Sequence, residues 1–290
     1  MRGYKKYRGR IITALWKEAA RKNGKEMAPG CWKGVTKDSY KHILPLNGVK
    51  NTKEARRDAI QKYLGIKIDD MFLSKNGALH QYAHHLNSSQ LLCYMAFRPL
   101  LTNDSKTKCY RPTEAFKKLF ASQNINISEC AQCEFEYNDH LMWKERNIPE
   151  GTSFDFHIKD NNHEYFFEIK FTEDGFGKAE KDDEHVQKFN ELYLDKITKV
   201  INKDVSVEEC VKYYQLFRNI IRGDSDSKTI VFITDENNPA TEEEIKNFRQ
   251  EYLKDATVNC LFLKWQDIYK ELPLDFHPFQ FICFNPDFKL

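Results

Sequence analysis

The sequence predicts an α/β fold with a mixed central sheet, preceded by a basic and mainly helical N-terminal region. Three observations predict it. Around residues 151–178, two runs of alternating apolar and polar residues flank a polar Asp160-Asn161-Asn162-His163 connector, which is the pattern of an antiparallel hairpin. Farther on, the apolar runs 228–234 and 258–263 bracket a helical stretch over 242–253, a β-α-β spacing that implies a parallel pair. Toward the N-terminus, Lys and Arg crowd segments of helical periodicity.

Taken in order, the chain opens with a cationic lead of Arg2, Lys5, Lys6, Arg8 and Arg10. Ile11, Ile12, Leu15, Trp16 and Ala19 then fall near one face of a helix over about 11–22. Tyr4 and Tyr7, interleaved with the cations, suit either stacking on bases or packing on the domain surface. Residues 27–51 hold Pro29, Gly30, Gly34, Pro45 and Gly48 and read as irregular loop. Thr52 caps a basic helix that Gly65 stops, and Asp69-Asp70 reads as a turn or helix start. His80, His84 and His85 have helical spacing without the glutamate of an HExxH zinc site. Asn87-Ser88-Ser89-Gln90 opens a buried helix over 91–97, and another helix spans 112–122.

Cys130 and Cys133 form a CxxC with no second pair at zinc-finger spacing, so they read as buried thiols beside a strand at 134–137. Residues 138–150 read as a polar loop able to line a substrate groove. Residues 172–178 carry two glycines but no Walker A pattern, and read as a flexible loop that brings Lys178 toward nucleic acid. A charged helix over 179–202 and an amphipathic one over 205–222 follow. After the β-α-β unit come a last helix at 265–272 and a Phe- and Pro-rich tail.

No apolar run approaches the ~20 residues that cross a bilayer, and the basic N-terminus lacks the apolar segment of a signal peptide. A cytoplasmic location, no membrane partner and eight reduced cysteines are therefore expected. Residues 1–62 carry 17 Lys/Arg against 5 Asp/Glu, whereas the rest carry 28 against 38. A basic arm beside an acidic body fits contact with nucleic acid. The expected division is a basic, mainly helical region over 1–77, which could serve as a DNA-recognition arm, and a catalytic domain over 78–290.

The chemistry concentrates in the hairpin. Antiparallel pairing would bring Asp155 close to Glu168, and Lys170 shares a strand face with Glu168. The pattern acidic-x-Lys also occurs at Asp104, Asp226, Glu244 and Asp287, but those lie in loops, turns, the tail or a helix start. Asp155 followed by Glu168-Ile169-Lys170 resembles the signature of the PD-(D/E)XK nuclease superfamily in its restriction-endonuclease-like branch. Phe154 stands where that family often has proline. The element order over about 78–235 resembles the family's αβββαβ core.

The resemblance implies Mg²⁺, with Mn²⁺ as a substitute, held by Asp155, Glu168 and the main-chain carbonyl of Ile169. It implies Lys170 as the residue that positions water and offsets charge on the phosphorane, leaving 5′-phosphate and 3′-hydroxyl ends. Glu136 becomes a further metal carboxylate, with Glu134 as the competing choice. Gln90 would face the site, Gln215 the scissile region, and Arg218 a phosphate or a structural carboxylate. His157, on the same strand face as Asp155, is a candidate base or a neutral structural histidine. The expected activity is that of a stand-alone type II restriction endonuclease on double-stranded DNA, needing no nucleotide cofactor and dimeric for a palindromic target. Repair, junction-resolving and mobile-element nucleases share the core, and a non-catalytic nucleic-acid-binding protein is the alternative from another class.

Overall fold

A computed structural model describes residues 2–23, 29–31, 39–46, 50–74, 79–143, 148–273 and 283–284. The chain divides into two compact units, residues 1–129 with 265–290 and residues 130–264. The expected boundary at 77/78 falls inside the first of these.

The first unit opens with α1 (Arg2–Asn23), so the cationic lead is itself helical. Lys and Arg are good helix formers, and Tyr7, Ile11, Ala14, Leu15 and Ala19 make one buried stripe. Tyr7 is 3% exposed, which corrects its reading as a stacking platform. Two short strands, β1 (Gly30–Cys31) and β2 (Ser39–Tyr40), pair antiparallel where loop was expected. In α2 (Lys53–Leu64), Thr52 accepts from Ala55 N–H and Gly65 ends the helix at φ 70°. Asp69 precedes α3 (Asp70–Ser74), accepting from Phe72 N–H and the Tyr110 hydroxyl while pairing with Arg98. Then come α4 (Ser89–Phe97), the hairpin β3 (Leu101–Asp104) and β4 (Cys109–Pro112), and α5 (Glu114–Ala121).

The second unit starts with an antiparallel meander, β5 (Gln132–Trp143), β6 (Ile148–Asp160) and β7 (His163–Ile169). Within the expected loop at 138–150, residues 138–143 and 148–150 instead form the outer part of the β5–β6 ladder, which runs out to Trp143↔Ile148. The expected helix over 179–202 is two helices, α6 (Asp183–Lys188) and α7 (Leu194–Ile201), joined by a π-helical turn at Phe189–Tyr193. The amphipathic stretch likewise divides at Tyr213 into α8 (Val207–Lys212), entered through a Ser206/Glu209 capping box, and α9 (Tyr214–Ile220). β8 (Lys228–Thr234), α10 (Pro239–Tyr252) and β9 (Asn259–Lys264) complete the unit; β8 and β9 are parallel as expected, and β7 also pairs parallel with β8. Phe166, Phe217, Ile230, Phe232, Ile245 and Phe248 pack the helices onto one side of this sheet. The last helix, α11 (Trp265–Glu271), belongs to the first unit.

Candidate active site

The β6–β7 register, with Phe156 opposite Phe167, places Asp155 opposite Glu168 at the end of the ladder. Asp155 Oδ2 accepts from the Ile169 N–H at 2.6 Å. Lys170 Nζ lies 2.7 Å from Glu168 Oε1. Helix α9 adds an amide clamp: Gln215 Nε2 donates to Glu168 Oε1 at 2.7 Å and Asn219 Nδ2 to Oε2 at 3.1 Å. Gln215 Oε1 accepts from Lys170 at 3.0 Å, so one amide bridges the carboxylate and the ammonium. Four residues is about one helical turn, which sets Gln215 and Asn219 on the same face of α9.

Glu136 lies beside this pair by an irregularity of the sheet. The β5–β6 ladder passes from Phe135↔Phe156 to Tyr137↔Phe154 and skips the Glu136/Asp155 position. Glu136 is 4% exposed and adopts φ 51°, a left-handed backbone uncommon for a residue with a Cβ. Phe156 packs on Phe135 and Phe167, but Phe154 packs on Phe166, the neighbour of Phe167 on the opposite face of β7. Tyr137 stacks on His157 at 4.0 Å rather than following Phe135. Simple alternation in both strands therefore breaks at Glu136 and Asp155, which corrects the regular apolar–polar alternation expected of the first run. His157 contacts Glu164 at 3.1 Å and is engaged by Tyr137, the arrangement of a structural histidine.

Burial raises Asp155 well above the usual carboxylate range, and the charges of Glu168 and Glu136 push it further, against Lys170 and the Ile169 N–H. Glu134, the competing residue, stands in register with His157, and it is not among the groups that shift Asp155. Burial alone would depress Lys170, but Glu168, Glu173 and Asp155 outweigh it and hold the side chain as an ammonium. The cluster is short of positive charge. Among the described residues no three His, Cys, Asp or Glu side chains form a ready metal cage. Two carboxylates, a main-chain carbonyl and waters are nevertheless the hard-oxygen set that Mg²⁺ takes, and a dication would relieve the repulsion on Asp155.

The loop after Lys170 is pinned, contrary to the flexible loop expected. Phe176 is fully buried, its N–H donates to Glu244 Oε2 at 3.0 Å, and Asn238 Nδ2 donates to the Phe171 and Glu173 carbonyls. Gly175 has φ 91° and a side chain there would collide with Glu244. Burial raises Glu244, partly offset by the Phe176 N–H, Lys178 and Lys170. Asn219, Glu173 and Glu244 are site neighbours that the sequence reading missed. Only Asn219 carried a signal, its i+4 spacing from Gln215.

Lys178 is exposed at the end of that loop. In the first unit, Lys5, Lys6 and Arg10 are exposed on α1 and Arg8 is half-buried, while the Arg2 side chain lies outside the described residues. Gln90 is a buried residue of α4 whose side-chain Oε1 accepts from His80 N–H at 3.0 Å. Arg218 stacks over Tyr214, with 5.8 Å between guanidinium and ring. Cys133 is buried as expected, but Cys130 is exposed beside Asn161. His84 and His85 are buried and held neutral, first by burial and then by neighbouring cationic or imidazole groups, at about 4 and about 3.

A family model described as restriction endonuclease associating with ARP matches residues 14–278. No curated protein and no solved structure matches the chain. Among the described residues no helix is long and apolar enough to cross a membrane.

Proposed function

For a chain that belongs to the family of restriction endonucleases associating with ARP, we propose Mg²⁺-dependent hydrolysis of DNA phosphodiester bonds by an enzyme of the type II kind. The observation that carries this reading is the meeting of Asp155, Glu168 and Lys170 beside Glu136 at one end of the sheet. Asp155, Glu168 and the Ile169 carbonyl would hold the divalent cation, with Glu136 adding negative charge beside them. The bound ion would supply Lewis-acid polarisation of the phosphoryl group.

The remaining work falls to the chain. Lys170 stays protonated, so it can hold a water in line and offset negative charge as the phosphorane develops. Gln215 fixes the Lys170 ammonium and the Glu168 carboxylate at once, and Asn219 fixes the second carboxylate oxygen. Such positioning is where catalysis gains most when little covalent chemistry is asked of the protein. The exposed cations of α1 and Lys178 would contact phosphates, and a palindromic target would call for a homodimer.

The test is incubation of the purified protein with plasmid and phage DNA in Mg²⁺, with and without EDTA, beside Asp155→Ala. Discrete metal-dependent fragments, absent in the variant, are expected. Random nicking would keep the chemistry but move the role to repair or junction resolution. Binding with no cleavage of any DNA would leave a non-catalytic DNA-binding protein.

A further inference from the structure

The second unit carries a groove of about 620 Å³ between α10 and β9 that the site above does not use. Its walls include Lys246, Arg249 and Lys254 from α10 and the residues just after it, with Phe262 and Lys264 from β9. Positions 246, 249 and 254 lie along one side of the helical path, and all three side chains are exposed. The single carboxylate in the lining, Glu242, is taken by Lys264, which also donates to Thr234. Among the described residues no carboxylate pairs with Lys246, Arg249 or Lys254. The guanidinium of Arg249 lies 4.9 Å from the Phe262 ring centroid, which holds it along the wall.

The groove is also placed to follow a strand of nucleic acid. Ile169 is in register with Ile233, and Thr234 with Lys264, so the Lys264 end stands level with Lys170 two strands away. Two strand spacings are about 10 Å, and phosphates recur about every 3.4 Å of duplex axis along one strand. The Lys264 end of the groove is thus about 10 Å across the sheet from Lys170, roughly the axial rise of three base pairs. We infer that this groove binds the backbone phosphates of the DNA that flank the cleaved bond, an inference that rests on the DNA reading above.

The test uses the full-length protein in EDTA and a short fluorescent duplex, with affinity measured between about 50 and 200 mM KCl. Because each lost phosphate contact lowers the slope of log affinity against log salt by about 0.9, K246Q/R249Q/K254Q should lower it by about 2–3. A control triple at exposed lysines elsewhere, K106Q/K118Q/K199Q, should leave it unchanged, and K246R/R249K/K254R should restore it. Thermal melts of each variant accompany the titrations, because cations near the end of a helix can also act on its dipole. That purely structural role predicts a lower Tm with an unchanged slope, and that result would overturn the inference. An equal slope for both triples would overturn it too, including the case of a groove that serves an acidic protein. Plasmid cleavage by the wild-type protein in Mg²⁺ is run in parallel. Cleavage with an unchanged triple-variant slope sinks the groove alone, whereas a reduced slope without cleavage keeps the groove and sinks the nuclease reading.

Discussion

Lys170 is the group whose replacement separates chemistry from binding. Lys170→Ala should abolish cleavage while duplex affinity in EDTA changes little, since one buried ammonium among many surface cations contributes little to phosphate neutralisation. Lost binding or unchanged turnover would count against its role. Asp155 gives a second prediction, in stability. Its native carboxyl holds a proton more tightly than the unfolded chain does, so the metal-free protein loses stability as pH rises from the ordinary carboxylate range toward the shifted one. Asp155→Asn removes that penalty. In EDTA at neutral pH it should raise Tm, and the gain should fade at low pH. Asn219→Ala, which strips a hydrogen bond from a buried carboxylate, should cost about 1.5–3 kcal/mol in chemical denaturation.

Among the elements, the break shared by β5 and β6 has its own signature. At a left-handed position glycine is free of the Cβ clash, so Glu136→Gly should be more stable than Glu136→Ala by about 1–2 kcal/mol, with neither restoring a carboxylate beside Asp155. Equal stabilities would show that the left-handed backbone carries no cost. The sequence made the core of this element legible: β7 alternates regularly, so Glu168 and Lys170 could be placed, and the polar 160–163 connector fixed the register that brings Asp155 opposite. It did not show the reversal at Glu136, because alternation counts residues and is blind to a φ of 51°. The β3–β4 hairpin escaped notice because its strands, LTND and CYRP, carry little apolar pattern and are tied by an Arg111–Asp104 ion pair. The loop at 172–178 read as mobile from its glycines, yet those glycines allow the chain to close over Glu244 and bury Phe176.

For the whole molecule, the sequence carried the family and the mixed sheet but not the partition of the chain. Trp265, fully buried in the first unit, packs near Phe284 and near Phe97, the latter more than 150 residues away in sequence. Periodicity cannot report such pairings. The second unit, 130–264, is in effect an insertion between two parts of the first. Residues 265–290, which belong to the first unit, are synthesised after the segment bearing Asp155, Glu168 and Lys170. The first unit is therefore the one whose completion must wait for residues on both sides of the other.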